Sequence, residues 1–138
     1  MKIALNASIL DCLHQGHKNI LETMRATGNK TIVVLHDDIA CFKIKNKFPI
    51  QDLKHRIKNA KLSGLVDKVY VTHSTDPADA FKKIVKKYGA KNIEYFRGDD
   101  LTQGFPGQWY LEQEGVKITF LPYTKGVSST QIRDEICR

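Results

Sequence analysis

Two histidines that flank a glycine are the residues near the N-terminus whose types and spacing could do chemistry. His14 and His17 enclose Gly16 and follow the apolar run at positions 3–5. A glycine lets a ligand approach the backbone closely, because it has no Cβ. The helical pattern that follows would offer free N–H groups and the positive end of a helix dipole. Together these features predict a phosphate-binding turn with two titratable side chains.

A basic segment in the middle of the chain is a second candidate binding feature. Positions 43–61 carry seven lysine or arginine residues against one aspartate, a net charge of +6, while the whole chain carries +7. Such a segment favours a polyanionic partner, which would be either a phosphorylated small molecule or a nucleic acid. Nucleic acid is disfavoured, because no aromatic-rich platform accompanies the charge.

Five short apolar runs rich in β-branched residues predict the strands that must position these side chains. The runs occupy positions 2–7, 31–35, 68–71, 92–96 and 116–121. Helical patterns lie between most of them, at 19–27, at 51–62 and after Asp76-Pro77, and a last helix is expected from Ser128 to about Ile136. We therefore predict a single α/β domain over residues 1–138, a Rossmann-like three-layer sandwich with a five-stranded parallel sheet and helices on both faces.

The candidate chemistry falls at turns that follow three of these strands. The His14–His17 turn follows the first strand, Gly98-Asp99-Asp100 follows the fourth, and the segment 126–130 follows the fifth. Ligands of open parallel sheets bind outside the carboxyl ends of the strands. We therefore expect the three turns to meet at one edge of the sheet and to form one site.

The same sequence bears on the compartment. No apolar run approaches the roughly 18 residues of a membrane span, and the first apolar run is too short for a signal peptide. The three cysteines, Cys12, Cys41 and Cys137, lack metal-ligand spacing, which favours free thiols. We expect a cytoplasmic protein with no membrane partner and no metal held by protein side chains.

Three ordered motifs resemble those of the cytidylyltransferase-like nucleotidylyltransferases. The segment 11–17, DCLHQGH, resembles their D-x-x-H-x-G-H motif, and the segment 123–130, YTKGVSST, resembles R-T-x-G-I-S-T-T. The segment 97–100, RGDD, resembles the G-D-D turn of the glycerol-3-phosphate cytidylyltransferase branch. The resemblance implies transfer of CMP from CTP to a small phosphorylated alcohol, glycerol 3-phosphate first, with release of pyrophosphate and with Mg²⁺ bound on the triphosphate.

The resemblance also implies a role for individual residues. His14, His17 and Lys47 are the expected catalytic residues. Lys45 and Arg56 are expected to bind the acceptor, with Lys45 and Lys47 as alternatives for one phosphate contact, and Asp11 orients either the first turn or the acceptor. The stretch 43–47 is expected to be flexible and to close over ligand, and a homodimer is expected from the family. The expected nucleotide contacts are Ser8, Ile9, Leu10, Gly16, Gly98, Asp99, Asp100, Tyr123, Gly126, Ser128, Ser129 and Thr130.

Several positions depart from the family pattern close to the nucleotide. Ser8 and Leu10 stand where the family has glycine and phenylalanine, and Tyr123 stands where it has arginine, a charge that Lys125 could replace. Arg97 is a further departure, to which the sequence assigns no role. These changes leave two alternatives open: an adenylyltransferase of the same fold that uses ATP, and a nucleotide-binding relative with impaired catalysis.

Overall fold

A five-stranded parallel sheet forms the centre of the protein. The computed structural model describes residues 1–122. The strands are β1 (Ile3–Ser8), β2 (Lys30–His36), β3 (Lys68–Thr72), β4 (Ile93–Gly98) and β5 (Lys117–Leu121). Their order across the sheet is β3-β2-β1-β4-β5, with every neighbouring pair parallel. The five predicted strands are confirmed, with ends that differ by at most two residues.

Helices cover both faces of this sheet, as predicted. Within the described residues the α-helices are α1 (Gln15–Thr27), α2 (Asp38–Lys45), α3 (Leu53–Leu62), α4 (Ala78–Tyr88) and α5 (Gln108–Gln113). Buried side chains of α1 and α3 pack on one face, and those of α4 and α5 pack on the other. The sequence missed α2 and α5 because they have only eight and six residues, too few for a clear period. The predicted last helix lies outside the described residues.

The prediction of a flexible basic stretch at 43–47 was wrong for its first half. Asp37 caps α2 by accepting the backbone N–H of Ala40 at 2.7 Å, and the helix continues through Lys45. It ends at Asn46, whose φ of 59° is the left-handed conformation that stops a helix. The lysines of the last turn suit the negative end of the helix dipole, so their charge favours helix rather than loop.

An aromatic cluster supports β4 beneath the carboxyl edge. Tyr95 contacts Phe81 edge to face and stacks on Phe105, with ring centroids 5.5 and 5.6 Å apart. Gly107 (φ 83°) packs against this cluster, because a Cβ there would come within 2.5 Å of Phe81. The strand order changes direction between β1 and β4, and this is the point where ligands of such sheets bind.

Candidate active site

The two histidines cap helix α1 together. His14 is the N-cap residue, and its Nδ1 accepts a hydrogen bond from the backbone N–H of Gly16 at 3.0 Å. Nδ1 of His17 in turn accepts the backbone N–H of His14 at 3.2 Å. This is a capping box with imidazoles in place of the usual hydroxyl and carboxyl groups. The turn is therefore held by the same side chains that the sequence predicts to bind phosphate.

These hydrogen bonds determine which nitrogen of each ring faces a ligand. Because both Nδ1 atoms accept, each neutral ring carries its proton on Nε2. The rings stack with centroids 3.8 Å apart and an interplanar angle of 18°. Burial lowers the pKa of His14, and burial, followed by the charges of His14 and Lys45, lowers the pKa of His17 to about 3. At neutral pH the pair offers two uncharged Nε2–H donors at the positive end of α1.

A lowered histidine pKa has a consequence for stability. The unfolded chain takes up a proton at His17 below about pH 6.5, whereas the folded protein does so only near pH 3. Hence the contribution of His17 to the free energy of unfolding is lost as the pH falls below 6.5, with a slope that approaches about 1.4 kcal/mol per pH unit. We expect His17→Asn to flatten this slope between pH 6.5 and 5.

This pH dependence is measured by urea unfolding at half-unit pH intervals. Between pH 5 and 6.5 the slope reports mainly on histidines, because the aspartates and glutamates of unfolded chains titrate near pH 4. An identical slope in the wild type and His17→Asn would contradict the assignment.

A buried carboxylate holds the loop that precedes α1. Asp11 accepts the backbone N–H groups of Ile50 and Gln51, both at 3.0 Å. These bonds tie the loop after β1 to the segment before α3. They also restrain a backbone with positive φ at Leu10 (53°) and Cys12 (52°), a conformation that costs about 1 kcal/mol or more for residues other than glycine. The role of Asp11 in orienting the first turn or the acceptor stays a prediction.

Arg56, which the family resemblance implies as an acceptor contact, lies in the interior of the protein. Its side chain is fully buried, and Nη1 donates to the carbonyl oxygens of Ile9 (2.9 Å) and His36 (2.8 Å). Nε donates to the carbonyl oxygen of Gln51 at 3.1 Å, and Nη2 contacts Asp38 Oδ1 at 2.7 Å. Four of the five N–H groups of an arginine are thereby used within the protein. The guanidinium joins the loops after β1 and β2.

A cavity of about 290 Å³ opens at the point where the strand order changes direction. Its lining brings together five residues that the sequence predicted for the site: Ser8, Ile9, His17, Lys45 and Asp100. Between the alternatives Lys45 and Lys47, the structure places Lys45 in the lining and leaves Lys47 exposed after α2. The turns after β1 and β4 therefore meet at one edge, as predicted.

Other predicted residues lie elsewhere. Leu10 is buried in the core on the α1 face, so its side chain packs rather than contacts nucleotide. Asp99 donates its backbone N–H to the carbonyl oxygen of Leu121 at 2.8 Å, and this bond joins the ends of β4 and β5 next to Gly98. Five predicted contacts lie outside the described residues: Tyr123, Gly126, Ser128, Ser129 and Thr130.

Sequence reasoning missed three polar side chains of the cavity, namely His36, Tyr95 and Arg97. Strand alternation is the signal that could have found them. In the observed register all three side chains lie on the face of the sheet that packs on α4 and α5. The ring of Tyr95 is buried, and its hydroxyl accepts the backbone N–H of Ala7 at 3.3 Å. Burial raises the pKa of Tyr95 to about 12, so the phenol stays protonated.

The described residues also bear on the predictions about a membrane, a metal and the thiols. No helix in residues 1–122 is long and apolar enough to cross a bilayer. Within that range no three histidine, cysteine, aspartate or glutamate side chains are grouped so as to hold a metal ion. Cys41 is a free, buried thiol, as expected.

The chain is similar to known proteins over nearly its whole length. It is 30% identical over 135 residues to the bifunctional protein HldE of Nitrosococcus oceani, which covers 97% of this chain and 28% of that protein. For HldE of Desulfatibacillum aliphaticivorans the identity is 31% over 136 residues, with 98% and 27% covered. The chain thus spans little more than a quarter of these relatives. These relatives are named HldE, whereas the motifs resemble the glycerol-3-phosphate cytidylyltransferase branch. The acceptor therefore remains a prediction.

Solved structures share the fold. The lipopolysaccharide core biosynthesis protein of Thermoplasma volcanium matches with a TM-score of 0.66 and 22% identity, over 92% of this chain and 99% of that one. A candidate nicotinate-nucleotide adenylyltransferase of Vibrio parahaemolyticus matches with a TM-score of 0.68 and 17% identity, over 99% and 87%. The cytidylyltransferase-like family model matches residues 9–135. Fold, motifs and relatives agree, and the chain belongs to the cytidylyltransferase-like family of nucleotidylyltransferases.

Proposed function

We propose that this protein transfers CMP from CTP to a small phosphorylated alcohol, glycerol 3-phosphate first, and releases pyrophosphate. The observation that supports this most is the pair of imidazoles at the start of α1. Their Nδ1 atoms are engaged by backbone N–H groups, which leaves each Nε2–H as a donor. His17 and Lys45 line one cavity at the carboxyl edge of β1, where a triphosphate and its acceptor would meet.

The reaction needs stabilisation of negative charge more than it needs a base. A phosphate oxygen of the acceptor forms a bond to the α-phosphorus, and the bond from that phosphorus to the oxygen of the β-phosphate breaks. Because the attacking oxygen is already deprotonated, no side chain has to remove a proton. Uncharged Nε2–H donors and the positive end of α1 can stabilise the charge that builds on the phosphoryl oxygens. The low pKa of His17 suits this role.

Positive charge would help to hold the two anions together. Lys45 projects from the last turn of α2 into the cavity that His17 lines. Mg²⁺ is expected to arrive on the triphosphate and would neutralise part of its charge. Asp100 lines the cavity and is a carboxylate that could hold a water of the hydrated ion. Lys45 and Asp100 therefore both fit the chemistry proposed for the site.

Adenylyl transfer from ATP is the second candidate. Leu10 stands where the family pattern has phenylalanine, and its side chain packs in the core, so the aromatic side chain of that pattern is missing from the turn after β1. The Vibrio protein with the same fold is described as a candidate adenylyltransferase. At 17% identity this likeness concerns the fold alone. The assay that follows therefore compares the two nucleotide donors, CTP and ATP.

A pyrophosphate-release assay tests the proposal directly. CTP and ATP would each be offered with Mg²⁺ and glycerol 3-phosphate, a sugar 1-phosphate, phosphopantetheine or nicotinate mononucleotide. We expect release with CTP and glycerol 3-phosphate, and the product would be identified by mass. Release with ATP alone would favour the second candidate. Tight binding of a triphosphate without release from any pair would contradict both and favour a relative without catalysis.

A further inference from the structure

We propose that Arg97 and His36 form the acceptor subsite of this protein, in which Arg97 binds the acceptor phosphate and His36 binds a hydroxyl group of the same molecule. The inference rests on the proposed function and names the substrate class, a small hydroxylated phosphate ester. It starts from the finding that Arg56, the arginine expected to bind the acceptor, is fully buried and hydrogen-bonded within the protein.

Within residues 1–122, Arg97 has no hydrogen-bonding or ion-pairing partner at the cavity. Its Nε is buried and makes no hydrogen bond within residues 1–122, and its guanidinium forms no ion pair there. Its Cζ lies 4.6 Å from the centre of the Phe105 ring, which holds the planar group in place. A guanidinium ordered by stacking loses less freedom when it binds an anion, and its fork matches a phosphate.

His36 lies across β1 from Arg97. It ends β2, is 5% exposed and lines the same cavity, and neither ring nitrogen makes a hydrogen bond of ordinary length and angle within the described residues, although the carbonyl groups of Ser8 and Thr75 lie near the ring. Burial lowers the pKa of His36, although the nearby carbonyl groups of Ser8 and Thr75 oppose this. A neutral imidazole offers one donor and one acceptor, which is the pair of functions that a hydroxyl group also has.

The register of the sheet sets these two side chains on the same face. Val34 pairs with Ala7, and His36 follows Val34 by two residues on β2. Tyr95 pairs with Leu5, so Arg97, two residues later, reaches the level of Ala7 on β4. The short side chain of Ala7 leaves room between them. A ligand of the size of glycerol 3-phosphate can extend over Ala7 while its phosphate stays in the cavity that His17 also lines.

The first test measures binding without turnover. Inorganic phosphate and glycerol 3-phosphate would be titrated by calorimetry into the wild type, Arg97→Met and Arg97→Lys, with Lys86→Met as an exposed control that removes the same charge. Methionine can still pack on Phe105. We expect Arg97→Met to weaken both ligands about 10- to 100-fold, Arg97→Lys to recover part of the loss, and Lys86→Met to bind as the wild type does.

The second test separates acceptor from nucleotide. In steady-state assays Arg97→Met should raise KM for the acceptor about 10-fold or more and change KM for the triphosphate less than about twofold. His36→Leu should reduce the preference for glycerol 3-phosphate over 3-hydroxypropyl phosphate, which lacks the central hydroxyl, and His36→Gln should keep part of it. Thermal unfolding of every variant checks that the fold is intact.

The outcomes distinguish this inference from the proposed function. If no pair of substrates turns over but phosphate binding still depends on Arg97, the proposed activity fails and the anion subsite stands. If turnover occurs while Arg97→Met leaves phosphate affinity and acceptor KM unchanged, or raises KM for the triphosphate instead, the subsite is wrong. Unchanged discrimination between the two acceptors in His36→Leu would remove the hydroxyl contact from the proposal.

Discussion

Replacing His17 by asparagine is expected to lower kcat for pyrophosphate release about 10²- to 10³-fold, the usual cost of one preorganised donor to a developing oxyanion. Asparagine places an amide oxygen near the position of Nδ1, so it can still accept the backbone N–H of His14. It has no group at the position of Nε2, so the donor to the phosphoryl oxygens is lost. We expect KM for the triphosphate to change little, because the donor acts mainly on charge that builds in the transition state.

The matched control for this change is His17→Gln. Glutamine can place an amide N–H near the position of Nε2, but it lacks an acceptor at the position of Nδ1, so the reciprocal cap with His14 is broken. We expect this variant to lose about 1 kcal/mol of stability, as for a lost helix cap, and to keep more activity than His17→Asn. Equal kcat in His17→Asn and the wild type would show that Nε2 of His17 takes no part in the reaction.

Replacing Arg56 by methionine is expected to destabilise the protein by about 3–5 kcal/mol, the range found when one partner of a buried charged network is removed. The change leaves the carbonyl oxygens of Ile9, His36 and Gln51 without their donor, together with the Asp38 carboxylate. A loss of that size is a large part of the 5–15 kcal/mol that stabilises an ordinary domain. Urea unfolding measures it as a lower midpoint.

Lys58→Met provides the control on the same helix. Lys58 belongs to α3 and is exposed, so this substitution removes the same charge and leaves no buried acceptor. We expect its stability to stay within about 0.5 kcal/mol of the wild type. Arg56→Lys should be intermediate, because an ammonium has three donors and lacks the planar fork. If Arg56→Met and Lys58→Met unfold at the same urea concentration, the network around Arg56 contributes nothing measurable.

The basic segment shows where prediction from composition fails. Arg56 and its neighbours Lys54 and Lys58 look alike in the sequence, each being one cation on a helix of polar character. Whether a cation is solvated or buried depends on what faces it, and the acceptors of Arg56 come from residues 9, 36, 38 and 51. No local pattern contains that information, because the contacts join loops that are distant along the chain.

For Arg97 and His36 the error is the opposite one, because the sequence did not predict either residue for the site. The sequence assigned Arg97 no role, and His36 is one histidine at the end of an apolar strand. Only the strand order β3-β2-β1-β4-β5 shows that the ends of β2 and β4 flank the end of β1. Strand alternation then sets both side chains on one face, on either side of Ala7. This juxtaposition needs the pairing of three strands, and pairing is a property of the folded chain.

The sequence alone determined the strands, the three main helices, the parallel α/β class and the turn that carries His14 and His17. These follow from local rules, namely apolar runs, caps and glycines, which act over a few residues. The tertiary structure decided which predicted residues share a cavity. It placed Lys45 there rather than Lys47, and it drew Arg56 into the interior. The physical reason is that a site is defined by distances between segments, which arise only when the sheet assembles and every buried donor finds its acceptor.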